Sequence, residues 1–259
     1  MIDLNSDLAE GFGPWRLGDD SALLRIVSSA NVACGFHAGD PTGMRRTCDL
    51  AGVRGVAVGA HVGYRDLAGF GRRRIDCDPG ELADEVLYQI SALDGFARRA
   101  GTAVSYVKPH GALYHTAWHN ERQAGAVVSA VAAYGGGIGV LGPPGSALLR
   151  IAARAGLRCV TEGFADRRYT ADGTLVPRGH RDALLTDPEA AAEQAIRLAV
   201  DQEVLAVDGT VLPMPVESLC VHGDSPGAVA LAEGVRTGLV HAGVPIRSFT
   251  TSPARCSDV

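Results

Sequence analysis

The chain has 259 residues, 46% of them hydrophobic and 20% charged, with 33 glycines and a formal net charge of −5. That balance is globular and excludes a disordered or coiled-coil chain. The 24 basic and 29 acidic residues form no long run of either sign, which excludes a nucleic-acid binder that works through a basic surface.

Residues 1–5 read as a first strand, with no basic segment and apolar stretch of a signal peptide before it. Further strands are expected at 30–34, 56–61, 104–108, 138–141, 158–162 and 218–222. They are short and largely apolar, as parallel strands covered on both faces should be. Helices fill the intervals. Asp78-Pro79-Gly80-Glu81 supplies an N-cap, a proline in the first turn and a capping-box glutamate. Leu82, Val86, Ile90, Leu93 and Ala97 then share one face, and Arg98-Arg99 with Gly101 end the helix. Asp40-Pro41, Asp187-Pro188 and Ser225-Pro226 are expected to open three more helices. Residues 124–149 carry no charge and are long enough to span a bilayer, but Gly135–Gly137 and Pro143-Pro144 divide them into helix, strand and helix. Two insertions interrupt the alternation: a polar loop over 163–185 and a hairpin over 204–216 that turns at Asp208-Gly209.

Seven strand–helix units mean a parallel sheet in one domain over residues 1–250, with a short tail over 251–259. Periodicity does not separate an open sheet from a closed barrel. Two features favour the barrel: no Gly-x-Gly-x-x-Gly turn follows the first strand, and ionisable residues gather at the C-terminal strand ends. The six cysteines are widely spaced and form no C-x-x-C pair, so reduced thiols in a cytoplasmic protein are expected.

The chemistry resides in those strand ends. Asn5, Asp7 and Glu10 follow the first strand, Asn31 and His37 the second, and His61 the third. Lys108 and His110 follow the fourth, Glu162 and Asp166 the sixth, and His222 and Asp224 the seventh. Singly, each has a structural explanation as a cap, turn former or hydrogen-bonded core group. Together, on one rim, they make an acid/base or metal site. Asp7, His37 and His61 could form a two-histidine, one-carboxylate metal site, and a metal-free network of the same residues is the alternative. Lys108 is the only lysine in the chain, and Pro109 after it places it at the rim. The Gly-rich loop over 63–74 could clamp a carboxylate or phosphate through Arg72 and Arg73. No P-loop or kinase-type glycine loop is present.

The segments DLNSDLAEGFG (3–13), SSANVACGFHAGDP (28–41), GAHVGYRDLAGFGRR (59–73), VKPHGALY (107–114), EGFADRRYTADGTLVPR (162–178) and CVHGD (220–224) resemble the LamB/YcsF family of lactam-utilisation proteins. The blocks occur in family order along essentially the whole chain. Val62 and Arg65 stand where the family usually has proline. The resemblance implies a seven-stranded β/α barrel related to the carbohydrate deacetylase fold. It implies ATP-dependent opening of 5-oxo-L-proline to L-glutamate by 5-oxoprolinase, with this chain as the A component beside partner subunits B and C. The ATP site would then lie mainly off this chain, and a divalent metal would be compatible with the rim. Under that reading Asp7, His37 and His61 activate water, and Lys108 and His110 stabilise negative charge. Glu162 and Asp166 transfer protons, while Asn5, Asn31, His222 and Asp224 contact substrate. Arg72, Arg73 and Arg168 bind anions. Two rival functions are a stand-alone metal-dependent amide or carbohydrate deacetylase and a non-catalytic lactam-binding subunit. A Schiff-base lyase using Lys108 is a more remote reading.

Overall fold

The computed structural model describes residues 1–250, and the tail expected from residue 251 lies outside them. All seven expected strands are present as β1 (Asp3–Leu8), β2 (Ser29–Ala33), β3 (Ala57–Val62), β4 (Val104–Pro109), β5 (Gly139–Gly142), β6 (Cys159–Phe164) and, after a hairpin of β7 (Glu203–Leu205) and β8 (Val211–Pro213), β9 (Ser218–Cys220). They close in the order β1-β2-β3-β4-β5-β6-β9, every pair parallel, with β9 hydrogen-bonded to both β6 and β1.

The helices are α1 (Asp20–Leu23), α2 (Pro41–Arg54), α3 (Pro79–Arg99), α4 (Gly111–His119), α5 (Glu121–Tyr134), α6 (Ala147–Arg154), α7 (Pro188–Ile196) and α8 (Ala228–His241). In α3 the Asp78 carboxylate accepts from the N–H groups of Gly80 and Glu81, and the apolar face named from the sequence is fully buried. Asp40 and Asp187 cap α2 and α7 in the same way. Ser225-Pro226 does not start a helix. It forms a turn, and α8 begins after Gly227, whose φ of +79° a side chain would resist. Residues 124–149 divide into α5, β5 and α6 as expected, and among the described residues no helix is long and apolar enough to cross a membrane.

The first strand departs most from expectation. It starts at Asp3 rather than Met1 and runs on to Leu8. Its alternation explains both ends. Leu4 and Leu8 pack among the surrounding helices, while Asp3, Asn5 and Asp7 point into the lumen. A polar inward face resembles a loop in sequence, but here each polar group finds a cross-strand partner. One layer toward the N-terminal strand ends, Tyr106, Leu141, Val160 and Phe249 form a separate apolar plug. The strands are therefore not apolar on both faces, and the lumen is a polar scaffold beneath the mouth.

Candidate active site

Above the plug, a hydrogen-bonded layer crosses the barrel. Asn31 Nδ2 donates to Asn5 Oδ1 at 2.6 Å and to Asp7 Oδ1 at 2.8 Å. Asn5 Nδ2 donates to Ser218 Oγ at 2.8 Å and Glu162 Oε1 at 3.1 Å, and the Tyr106 hydroxyl donates to Asn31 Oδ1. Both asparagines are fully buried and spend their amides on this layer. They hold the acidic groups in place and do not face the cavity above.

Lys108 does not project at the rim. Its side chain is 2% exposed and turns inward, with Nζ 2.8 Å from Glu162 Oε1, 3.2 Å from Asp7 Oδ1 and 3.2 Å from Cys220 Sγ. Burial works against its charge, but Asp7, Cys220 and Glu162 outweigh it and hold the ammonium well above its usual range. In return, His61 and Lys108 overcome the burial of Asp7 and keep that carboxyl well below the usual carboxylate range. Asp7, Cys220 and His222 also form a group of potential metal ligands, but its cation is already present as the Lys108 ammonium.

The mouth encloses a cavity of about 270 Å³ with Asp7, Glu10, His61, Lys108, His110 and His222 among its lining groups. Glu10 reaches it because β1 ends in a left-handed turn at Ala9, with φ +58°. Asp166 orients His222. One carboxylate oxygen accepts from the His222 backbone N–H at 3.0 Å, and the same group meets His222 Nδ1 at 2.9 Å. Burial raises the Asp166 carboxyl, but the charge and hydrogen bonds of His222 outweigh it and hold the group low. His222 Nε2 then faces Asp7 Oδ2 at 4.0 Å.

Glu10, His37, His61 and His110 bring four ligand atoms within 4.8 Å of one another. The expected trio of Asp7, His37 and His61 is thus regrouped: His37 and His61 join Glu10 and His110, and Asp7 stands beside them, 3.4 Å from His61 Nε2. The hydrogen bonds at the far ring nitrogens set the tautomers. His61 Nδ1 donates to Lys108 O at 3.1 Å and His110 Nε2 donates to Phe70 O at 2.8 Å. The facing atoms, His61 Nε2 and His110 Nδ1, stand 3.1 Å apart with Glu10 Oε1 3.8 Å from the latter, so a proton or a metal ion must lie between the two nitrogens. Such a pair needs a positive charge. His37 stacks on His110 at 3.8 Å, is fully buried, and among the described residues neither of its ring nitrogens has a hydrogen-bond partner. Gly63 and Gly71 cradle it, since a Cβ at either would fall 2.6 Å from a His37 atom. Burial, then the neighbouring histidines, push His37 and His110 well below the usual imidazole range, so both are neutral and available as ligands. Burial, with Asp7 and Asp224, raises the Glu10 carboxyl well above the usual carboxylate range. The residues fit a divalent metal.

The anion-binding assignments change as well. Of the loop arginines, Arg72 lines the cavity and pairs with Asp224 at 2.6 Å, whereas Arg73 points outward, 66% exposed and clamped on Asp66. Arg168 does not line the cavity. Its neighbour Arg167 does, together with Arg178 and His115, because the loop over 163–185 folds back through bridges Arg167–Leu184 and Tyr169–Leu175. Arg167, Arg178 and His115 are site residues that strand-end reasoning did not select, and Glu10 stood among the strand-end residues without an assigned role. The arginines come from an insertion whose fold only tertiary contacts reveal.

The model of the LamB/YcsF family matches residues 2–254. The chain belongs to the LamB/YcsF family. The A subunit of 5-oxoprolinase from Kocuria rhizophila is 59% identical over 249 residues, covering 96% of this chain and 99% of that protein. Its counterpart in Streptomyces coelicolor is also 59% identical, over 96% and 100%. The crystal structure of the lactam utilization protein from Thermus thermophilus superimposes with a TM-score of 0.91 at 42% identity, covering 96% of this chain and 99% of that one.

Proposed function

We propose that this chain is the A component of a cytoplasmic, ATP-dependent 5-oxoprolinase, which opens 5-oxo-L-proline to L-glutamate with partner subunits B and C. The observation that carries the reading is full-length similarity, at 59% identity, to proteins of that name, and the acid/base cavity at the barrel mouth suits the reaction.

A five-membered lactam is a stabilised amide, so its opening needs an activated carbonyl, a base for water and an acid for the departing nitrogen. Phosphorylation of the lactam oxygen by ATP supplies the activation, with the nucleotide held mainly by the partners. Asp7, kept ionised by His61 and Lys108, takes the proton of the attacking water. As the C–N bond breaks, the ring nitrogen takes a proton from His222, which Asp166 holds in orientation, and a second water cleaves the acyl phosphate left behind to release L-glutamate and inorganic phosphate. Glu162 supports this arrangement through Lys108. Glu10, His37, His61 and His110 would hold a divalent metal, which supplies Lewis acidity to the reacting oxygen when bound. Arg72, Arg178 and Arg167 add cationic groups to the cavity lining.

The test is glutamate formation from 5-oxoproline and ATP by this chain alone, by B and C, and by all three. Turnover is expected only from the three together. Robust turnover by the chain alone would place the nucleotide site here. The metal-ligand cluster gives the stand-alone deacetylase reading its one support, and amide hydrolysis without ATP by the metal-loaded chain would favour it. Full activity of the complex after removal of His37 and His61 would favour a non-catalytic binding role.

A further inference from the structure

Three guanidinium groups line one wall of the cavity. Arg72 pairs with Asp224 at 2.6 Å, and Arg178 reaches the same carboxylate oxygen at 3.6 Å. Arg167 has no ion-pair partner among the described residues, and it is the most buried of the three, at 2% exposure. Its sequence neighbour Asp166 directs its carboxylate to His222. Two backbone carbonyls fix the guanidinium: Nε donates to Ala183 O at 3.3 Å and an Nη donates to Val176 O at 2.6 Å. Neutral carbonyls orient a cation without neutralising it. Burial and Arg178 lower this guanidinium to about 10, so it remains charged at neutral pH. His115 beside it is pushed to about 4, by burial and then by Arg167 and Arg178, and contributes no charge.

A buried, oriented cation without a counter-ion is costly, and it is retained where a ligand supplies the missing charge. We propose that Arg167 is the receptor for the carboxylate of the substrate, a carboxylate-binding subsite that holds the ring against the acid/base floor. The inference rests on the 5-oxoproline reading for the identity of the ligand. The guanidinium hydrogens that Ala183 and Val176 leave free, both of those on the second Nη among them, are donors for a carboxylate. Depth separates it from the other arginines. Side chains of Arg72 and Arg178 are 41% and 27% exposed and share Asp224, so they face an anion that arrives from the open side. The carboxylate is present on the substrate throughout the reaction and takes the fixed, buried partner.

The test uses the complex with partner subunits and compares 5-oxoproline, its carboxamide and 2-pyrrolidinone. The wild type should favour 5-oxoproline over both uncharged lactams by about 10–100-fold in kcat/KM, the scale of a charged hydrogen bond. Arg167→Gln should raise KM for 5-oxoproline by about that factor, far more than it lowers kcat, and abolish the preference. Arg167→Lys should recover part of it. An unchanged KM and preference in Arg167→Gln overturns the proposal, as does a fall in kcat at constant KM. If Arg167→Gln does not fold, the wild-type comparison decides: equal use of 5-oxoproline and its carboxamide excludes the subsite. If the wild-type complex opens no lactam, the functional reading falls and calorimetry on the chain decides. Heat with 5-oxoproline that Arg167→Gln loses supports the subsite, and heat with inorganic phosphate alone overturns it.

Discussion

The lumen and the mouth of the barrel are built from the same residue types, yet they treat their polar groups in opposite ways. In the lumen, Asp3, Asn5, Asn31 and Lys108 are all buried and all paired, although the second oxygen of Glu162 has no hydrogen-bond partner among the described residues. At the mouth, among the described residues, His37 has two unpartnered nitrogens, Asp224 Oδ1 has no hydrogen-bond partner, and Arg167 has no counter-ion. Paired buried groups are structural, because removing one strands its partner. Unpaired ones persist because something outside the chain completes them. Lys108 lies on the boundary, a lumen residue whose charge sets the state of Asp7.

The largest effect is expected from breaking the lumen. Lys108→Met leaves Asp7 and Glu162 buried without their cation, and loss of one partner from a buried pair costs about 3–5 kcal/mol. Chemical denaturation should show that loss in the isolated chain, before any activity is measured. A wild-type midpoint would mean that the carboxylates relax to water and that the lumen is looser than the geometry shows.

Asp3 tests the same region through pH. Burial raises its carboxyl to about 6, from 3.8 when exposed. The folded chain therefore binds this proton more tightly than the unfolded one. Its contribution is present in full below about pH 4 and is lost as pH rises through 6, an effect of about 3 kcal/mol. Asp3→Asn stays neutral and should lack that fall. The difference between the two stability profiles isolates Asp3 from carboxyls such as Asp7 and Asp166, which shift the other way. Parallel profiles for the two proteins would contradict the assignment.

At the mouth, His37→Ala and His61→Ala should each lower turnover of the complex by about 10²-fold or more. The double variant should lose much less than the product, because both residues serve one centre. The wild-type chain should gain thermal stability with an added divalent metal and lose it to a chelator, and His37→Ala should show neither response. Wild-type turnover in both single variants would remove the cluster from the reaction.

The seven strands, the capped helices and the divided apolar segment were legible because short-range periodicity and cap residues determine them. The register of β1 was not, since an inward polar face and a loop share one composition. Strand-end reasoning selected Asp7, His61, His110 and His222, and all four line one cavity. It misplaced what depends on side-chain direction: Lys108 turns inward, and Arg167 rather than Arg168 faces the cavity. The regrouping of His37 with Glu10 depends on the left-handed turn at Ala9, which no glycine announces.

The smallest effect is expected at Arg73, which the sequence offered as an anion binder. Its guanidinium sits outside the mouth, two-thirds exposed and committed to Asp66. Asp66 also accepts from the Gly69 N–H at 3.0 Å, so it keeps a donor and its turn when Arg73 is removed. Only the arginine end of the pair stands in solvent, where screened attraction gains little and a long side chain has to be ordered. Arg73→Ala should leave KM and kcat of the complex near wild type, while Arg72→Ala, one residue away, should raise KM because it opens the cavity wall and unpairs Asp224. Equal losses in the two variants would show that the loop acts as one clamp, and the boundary between mouth and outer surface would have to move outward.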